Sequence, residues 1–415
     1  MDTISVFEHQ TLKVRDRGFT DAHRLALDNF LGNNDETTFP YYSLIHKGVK
    51  FRNFVGVMCV NGLTIEVLPK TDRDAHDKSY WRNKLLHMLS IVYKLDVKSP
   101  SDVHQQINTN SPLLDIFIKR FLDEVYGLLN RGLVKCYHKD EGNRKALKGK
   151  LLLGEHLRRN FIHKERFYVR YTNYDFEHIM NCLLRQALEV VATVSQNTNI
   201  RGRAISTLFN FPELKEIPVS SQLFDNLVFD RKTEDYRMAI KLAKLLLLHT
   251  VPKRVGNGDR ILALMFDMNK LWEEYVYVML RRYLTDYDVR AQEKMRFWQQ
   301  EDGTYKTIRP DLVVRNDKNE VVAIMDTKWK CPDKTPSDGD LHQMFVYSKM
   351  YSTEKVALVY PSTEGVKPVS AKFLENNNAS CDMLFLNMDK EKMLESIGEW
   401  LESSTKNTIR KNIPK

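Results

Sequence analysis

The chain has 415 residues, 42% of them hydrophobic and 28% charged, with only 17 glycines and 13 prolines. This composition excludes disordered, collagen-like and low-complexity classes and leaves room for two or three domains with real cores. A formal net charge of +9 and a pI near 9.0 permit a polyanionic partner without requiring one.

Residues 1–10 carry acidic side chains and no apolar core, so no secretory signal is expected. The apolar runs 245–248 and 261–266 are too short to cross a bilayer, and no membrane partner is expected. Cys59, Cys136, Cys182, Cys331 and Cys381 are scattered, with no Cys-x-x-Cys pair. They predict reduced thiols, a cytoplasmic location and no zinc ribbon.

The first seventy or so residues read mostly as strand. Residues 41–45 and 48–51 form one expected hairpin. Residues 54–60 and 63–68 form another around Asn61-Gly62, a strong two-residue turn signal, and Pro69 ends the second strand. A small β-rich unit over 1–75 follows, with a barrel as one option. Helices come next. Ser79 is a candidate cap for a helix whose Trp81, Leu85, Leu86, Leu89, Val92 and Tyr93 share a face. Ser111-Pro112 opens a helix over 113–129, and 176–193 and 234–249 carry further apolar stripes. Residues 76–250 therefore read as a helical region for a partner or for DNA. Its basic segment, 145–150 with Arg158 and Arg159, is a solvated face or a phosphate contact.

Residues 252–259 read as a linker, and 251–403 as a further domain. A helix is expected over 262–283. Two apolar strands, 312–314 and 321–325, then flank a polar turn at 316–320. Folding that hairpin symmetrically about Lys318-Asn319 sets Asp317 against Glu320 and Asp311 against Asp326. Opposed residues share a face with Cβ atoms roughly 5 Å apart, and Lys328, two residues past Asp326, joins them. A helix over 340–350, a buried strand over 356–360 and an amphipathic helix over 391–401 complete the domain. Residues 404–415 form a basic tail.

Two opposed carboxylates repel unless neutralised, and a hard divalent cation with oxygen ligands suits the gap. Asp311 and Asp326 are the candidate metal ligands for Mg²⁺, with Mn²⁺ as the alternative. Such an ion lowers the pKa of water and offsets charge on a scissile phosphate. Lys328 is then placed to deprotonate that water, if its own pKa is depressed, or to stabilise a developing phosphorane. The bland alternative is a structural ion pair of these aspartates with Arg309 or Lys328. The twelve histidines show no ligand spacing, so a zinc site is not expected. No Gly-x-x-x-x-Gly-Lys-[Ser/Thr] occurs, so the chain should bind no nucleotide through a P-loop.

The order helix, strand with Pro310-Asp311, strand with Asp326-Thr327-Lys328, helix, strand resembles the PD-(D/E)xK nuclease superfamily. That superfamily places an acidic residue on the preceding helix, where Glu273 stands with Glu274 as its rival. It also often carries a glutamine on the following helix, where Gln343 stands four residues before Tyr347. More narrowly, Ile65-Glu-Val-Leu-Pro-Lys70, Lys148-Gly-Lys-Leu-Leu152, Asn181-Cys-Leu-Leu184 and Asp267-Met-Asn-Lys-Leu271 resemble the McrC family of McrBC modification-dependent restriction systems. Trp272 departs from the commoner phenylalanine.

The resemblance implies an α/β fold, α+β overall, with a β-rich N-terminal unit, a helical middle and a C-terminal PD-(D/E)xK core whose mixed sheet is flanked by helices. It implies Mg²⁺-dependent cleavage of modified double-stranded DNA, with Asp311, Asp326, Lys328, Glu273 and Gln343 at the site. The implied partner is a McrB-like AAA+ hexamer whose GTPase the chain stimulates. A non-catalytic activator of an AAA+ NTPase and a stand-alone nuclease are the alternatives.

Overall fold

The computed structural model describes residues 3–32, 41–61, 63–70, 77–93, 112–195, 197–249, 261–330, 332, 335–362, 366–374, 379–388, 394 and 397–402. The expected linker at 252–259, the Ser111 cap and the tail from 404 lie outside them, as does part of the helix expected over 391–401. The chain forms two compact units. One contains Met1–Met58, Gly62–Gln105 and Met265–Lys415, and the other contains Cys59–Asn61 and Gln106–Leu264.

In the first unit the N-terminal strands divide between two sheets. Tyr42–Ile45 and Gly48–Phe51 pair antiparallel, with Thr11–Lys13 on the far side of the latter. Thr3–Phe7, Leu63–Leu68 and Phe54–Val60 lie side by side in another sheet, and Thr3–Phe7 runs parallel to Leu63–Leu68. The strand-rich expectation missed a helix at Asp21–Gly32. Its apolar residues are spaced so that Ala26, Leu27 and Leu31 are buried, a helical period that the neighbouring strand signals masked.

The helix Lys78–Tyr93 buries the expected stripe of Trp81, Leu85, Leu86, Leu89, Val92 and Tyr93. Ser79 lies in its first turn, where its hydroxyl donates to Asp77 Oδ2 at 2.6 Å. The expected helix over 262–283 begins later, because Ile261–Asp267 is a strand and only Met268–Tyr283 is helical. The run Ile-Leu-Ala-Leu-Met-Phe suits a buried strand as well as a helix, and periodicity alone cannot separate them. Asp267 sets the boundary: its side chain accepts from Asn269 N and caps the helix.

The strands that follow build a five-stranded sheet in the order Asp288–Ala291, Leu312–Arg315, Val321–Thr327, Lys355–Ser362, Ser380–Asn387. The first three strands are antiparallel neighbours, and the last three are parallel. The helix Asp338–Met350 lies between two of the parallel strands in sequence. It buries Met344, Tyr347 and the following Tyr351 against Val313, Ile324, Val356 and Leu358. A separate two-stranded ribbon, Met295–Gln299 with Tyr305–Ile308, stands beside this sheet.

The second unit is helical but not wholly so. Pro112–Arg131, Ile179–Val194, Thr198–Asn210 and Arg237–His249 pack together. The expected helical middle also contains a three-stranded antiparallel sheet of Cys136–Arg144, Phe167–Asp175 and Lys150–Leu151. These strands alternate inward and exposed residues, bury only Val169 and Tyr171, and carry many charges, so their apolar signal was weak. Among the described residues, no helix is long and apolar enough to cross a membrane.

Candidate active site

The hairpin register follows from its apolar residues. Leu312 faces Met325, Val313 faces Ile324 and Val314 faces Ala323, all buried and all in the expected pairing. The symmetric turn does not hold. A bulge between Val314 and Arg315 shifts the register, so Arg315 faces Val321, and Asn316 N donates to Glu320 O at 3.0 Å instead. Asn319 takes φ 63°, a left-handed conformation that asparagine tolerates. The bulge lies at the turn end, so the pairing toward Asp311 and Asp326 is intact.

Asp311 stands immediately before its strand. Its Oδ2 accepts from Thr327 N at 2.7 Å and from Thr327 Oγ1 at 2.8 Å. Asp326 is buried at 2% exposure. Burial, then the nearby Asp311 carboxylate, pushes its pKa up to about 6 against the pull of Lys328. Lys328 Nζ lies 2.6 Å from Asp326 Oδ2, 3.4 Å from Asp340 Oδ1 and 3.2 Å from Gln343 Oε1. Burial alone would favour a neutral lysine, but Asp326 outweighs it, helped by Asp340 and Asp311. The pKa stands above the ordinary lysine value. These carboxylates favour the charged ammonium, which suits electrostatic stabilisation.

Gln343 connects these groups. It accepts from Lys328, and its Nε2 donates to Asp326 Oδ1 at 3.2 Å and to Tyr347 Oη at 2.8 Å. Tyr347 in turn donates to Arg309 O at 3.2 Å, which ties the helix to the segment leading into Asp311. Of the rival pair on the preceding helix, Glu273 is partly buried and Glu274 is exposed. Burial, and then Asp311, pushes the Glu273 pKa up to about 7. The neighbouring Trp272 is fully buried and donates to Val359 O at 3.3 Å. Lys328 N donates to the same carbonyl at 2.9 Å.

Two groups escaped the sequence reading. Asp340 faces both Lys328 and Lys330, the latter at 2.5 Å. Gln292 donates from Nε2 to Glu273 Oε1 and to Asp311 Oδ1. No spacing rule marks either residue, because each meets its partners only through tertiary folding.

The donor set fits a hard cation. Asp326 Oδ2 is buried and accepts no aligned hydrogen bond, although Lys328 forms an ion pair with it. Asp311 accepts from neutral donors, so its charge remains available to an ion. Elsewhere, His138, Asp175 and Glu177 bring ligand-type atoms within 4.8 Å of one another. Sequence spacing gave no sign of that cluster, because residues of two paired strands and the loop after them meet there. Lys215 already pairs with Glu177, while Asn173 donates to the neighbouring Asp140.

The model of the family described as "McrBC 5-methylcytosine restriction system component" matches residues 49–361, three quarters of the chain. The chain belongs to the McrBC family. The expected McrC-family membership and α/β fold are thereby borne out. This McrBC-family chain is also similar in fold to a chain of the half-complex refined from a tetradecameric assembly of Thermococcus gammatolerans McrB AAA+ hexamers with bound McrC. The TM-score is 0.60 at 20% identity, over 96% of this chain and 99% of that one. A chain of the Thermococcus gammatolerans McrBC complex matches at TM-score 0.47 and 22% identity, over 68% of this chain and 88% of that one. No curated protein matches the chain.

Proposed function

We propose that this chain is a metal-dependent DNA endonuclease, the cleavage subunit of a McrBC-like, GTP-driven restriction complex. The observation that carries the reading is the convergence of Asp311, Asp326 and Lys328 at one end of a paired hairpin. Gln343 bridges the lysine and Asp326 there, and Glu273 lies close to Asp311. In this reading Asp311 and Asp326 hold Mg²⁺ or Mn²⁺, which would supply Lewis-acid activation of water and neutralise charge at the scissile phosphate. Lys328 stays protonated and presents a fixed positive charge to the oxygens that gain charge in the transition state. Gln343 orients the Lys328 ammonium.

We infer double-stranded, modified DNA as substrate, a reading supported by the family's description as a 5-methylcytosine restriction component. The partner inferred is a McrB-type AAA+ GTPase ring, whose hydrolysis this chain stimulates. The supporting likeness is to a fold solved together with McrB hexamers and bound McrC. The test is linearisation of methylated plasmid by the chain with its AAA+ partner and GTP. Cleavage should require both proteins and Mg²⁺ or Mn²⁺, and should vanish in Asp326→Ala and Lys328→Ala. Full cleavage by either variant overturns the assignment.

A further inference from the structure

Gln292 sits at a corner of this site in a backbone conformation that glutamine does not favour. Its φ is 57°, in the left-handed region where glycine or asparagine is the low-cost residue. The corner is held from several sides. Ala291 pairs with Leu312 at the end of its strand, so the next residues along, Gln292 and Asp311, meet. Gln292 N donates to Asp311 O at 2.9 Å. Glu293 pairs with Arg315 at 2.6 Å, and its carbonyl accepts from Tyr351 Oη at 3.1 Å.

The side chain held there has a particular use. Nε2 donates to Glu273 Oε1 and, at 3.3 Å, to Asp311 Oδ1. The opposite amide orientation would aim an oxygen at two carboxylates, so donor and acceptor are assigned by chemistry. Gln292 Oε1 is then a buried acceptor with no hydrogen-bond partner. Such a group calls for an explanation, and strained backbone gathers at functional sites.

We propose that Gln292 is a positioning residue that yokes Glu273 to Asp311 and so turns the helix carboxylate toward the cation pocket. The inference rests on the nuclease reading above. Two neighbouring carboxylates repel, and a donor must stand between them. An arginine or lysine in that place would cancel the negative charge that attracts a cation. A primary amide offers two N–H groups and no charge, so it holds both carboxylates while leaving the site anionic. Its buried carbonyl oxygen adds a third kind of acceptor beside the two carboxylates.

The test uses the full chain and Mn²⁺, with binding measured by isothermal titration calorimetry. Gln292→Gly suits the left-handed backbone and removes the whole side chain; relief of the backbone strain offsets the lost hydrogen bonds, so the variant should melt near the parent temperature. Its Mn²⁺ affinity should fall by about tenfold or more, the usual consequence of losing a ligand's supporting hydrogen bond. In a Glu273→Gln background the same substitution should add little, because its effect runs through Glu273. Gln292→Asn also tolerates this backbone, but its shorter amide cannot span both carboxylates. It carries the same expected loss should the glycine variant fail to fold. If the parent binds Mn²⁺, Asp326→Ala abolishes binding and Gln292→Gly binds as the parent does, the yoke is wrong and the nuclease reading stands. Fully additive losses in the double variant also overturn the yoke. If the parent binds no Mn²⁺, or Asp326→Ala binds it unchanged, the nuclease reading falls and takes the yoke with it.

Discussion

Glu8 and Trp329 stand 321 positions apart in the chain and meet through a 2.8 Å hydrogen bond from Trp329 Nε1 to Glu8 Oε1. The same oxygen accepts from Lys70 N at 2.8 Å, while Oε2 is buried without a hydrogen-bond partner. Trp329 follows Lys328 directly, and its ring lies 5.5 Å from that of Trp272. The end of the first strand thus braces the segment that carries the candidate lysine.

Burial, opposed in part by those two hydrogen bonds, pushes the Glu8 pKa from 4.5 up to about 7. A raised folded-state value means that folding takes up a proton. The stability conferred by protonation is complete below about pH 4.5 and is lost as pH rises through about 7. Linkage sets this at about 3 kcal/mol at most. Glu8→Gln keeps the Oε1 acceptor and removes the titration. It should melt higher than the parent at pH 8 and flatten the fall in Tm across that window. An unchanged pH profile by scanning calorimetry would contradict this account.

Asp326 sits under the same constraint at the candidate site, with burial and Asp311 raising its pKa to about 6. Above that value the folded chain carries an unfavourable buried charge. Asp326→Asn should therefore melt higher than the parent at pH 8 in the absence of divalent ions, while plasmid cleavage drops to background. Retained cleavage would remove Asp326 from the metal-ligand role.

Trp272→Phe keeps an aromatic ring at this buried position. It removes one of two donors to Val359 O, and Lys328 N still satisfies that carbonyl. The cost should come from lost volume in a fully buried position, about 1–2 kcal/mol by urea titration and below the ~3–5 kcal/mol of truncation to alanine. A loss as large as that of Trp272→Ala would mean that the indole hydrogen bond dominates.

Gly149 has φ 77°, and a Cβ there would lie 2.3 Å from Arg170 O, a backbone atom that cannot move aside cheaply. Gly149→Ala should destabilise by about 2 kcal/mol or more through the left-handed backbone and the clash together. It should loosen the pairing of Lys150–Leu151 with Phe167–Asp175. Hydrogen exchange at Leu151 and Val169 as slow as in the parent would refute the prediction.

Much of the molecule was legible because its signals are local. The stripe along Lys78–Tyr93 and the paired apolar runs around Asp311 and Asp326 declare helix and hairpin through spacing alone. Motif order was enough for the family, and it singled out Asp326, Lys328 and Gln343, which the fold brings together. Tertiary structure alone decided the rest. It made Ile261–Asp267 a strand, kinked the hairpin at Arg315, chose Glu273 over Glu274 as the partly buried acid, and kept Lys328 charged by seating it among acidic groups. It also brought Gln292, Asp340 and Glu8 to partners remote in the chain. The reason is physical: periodicity reports which face of an element is apolar, whereas burial, protonation and a glutamine's two hydrogen bonds depend on neighbours that only folding brings near.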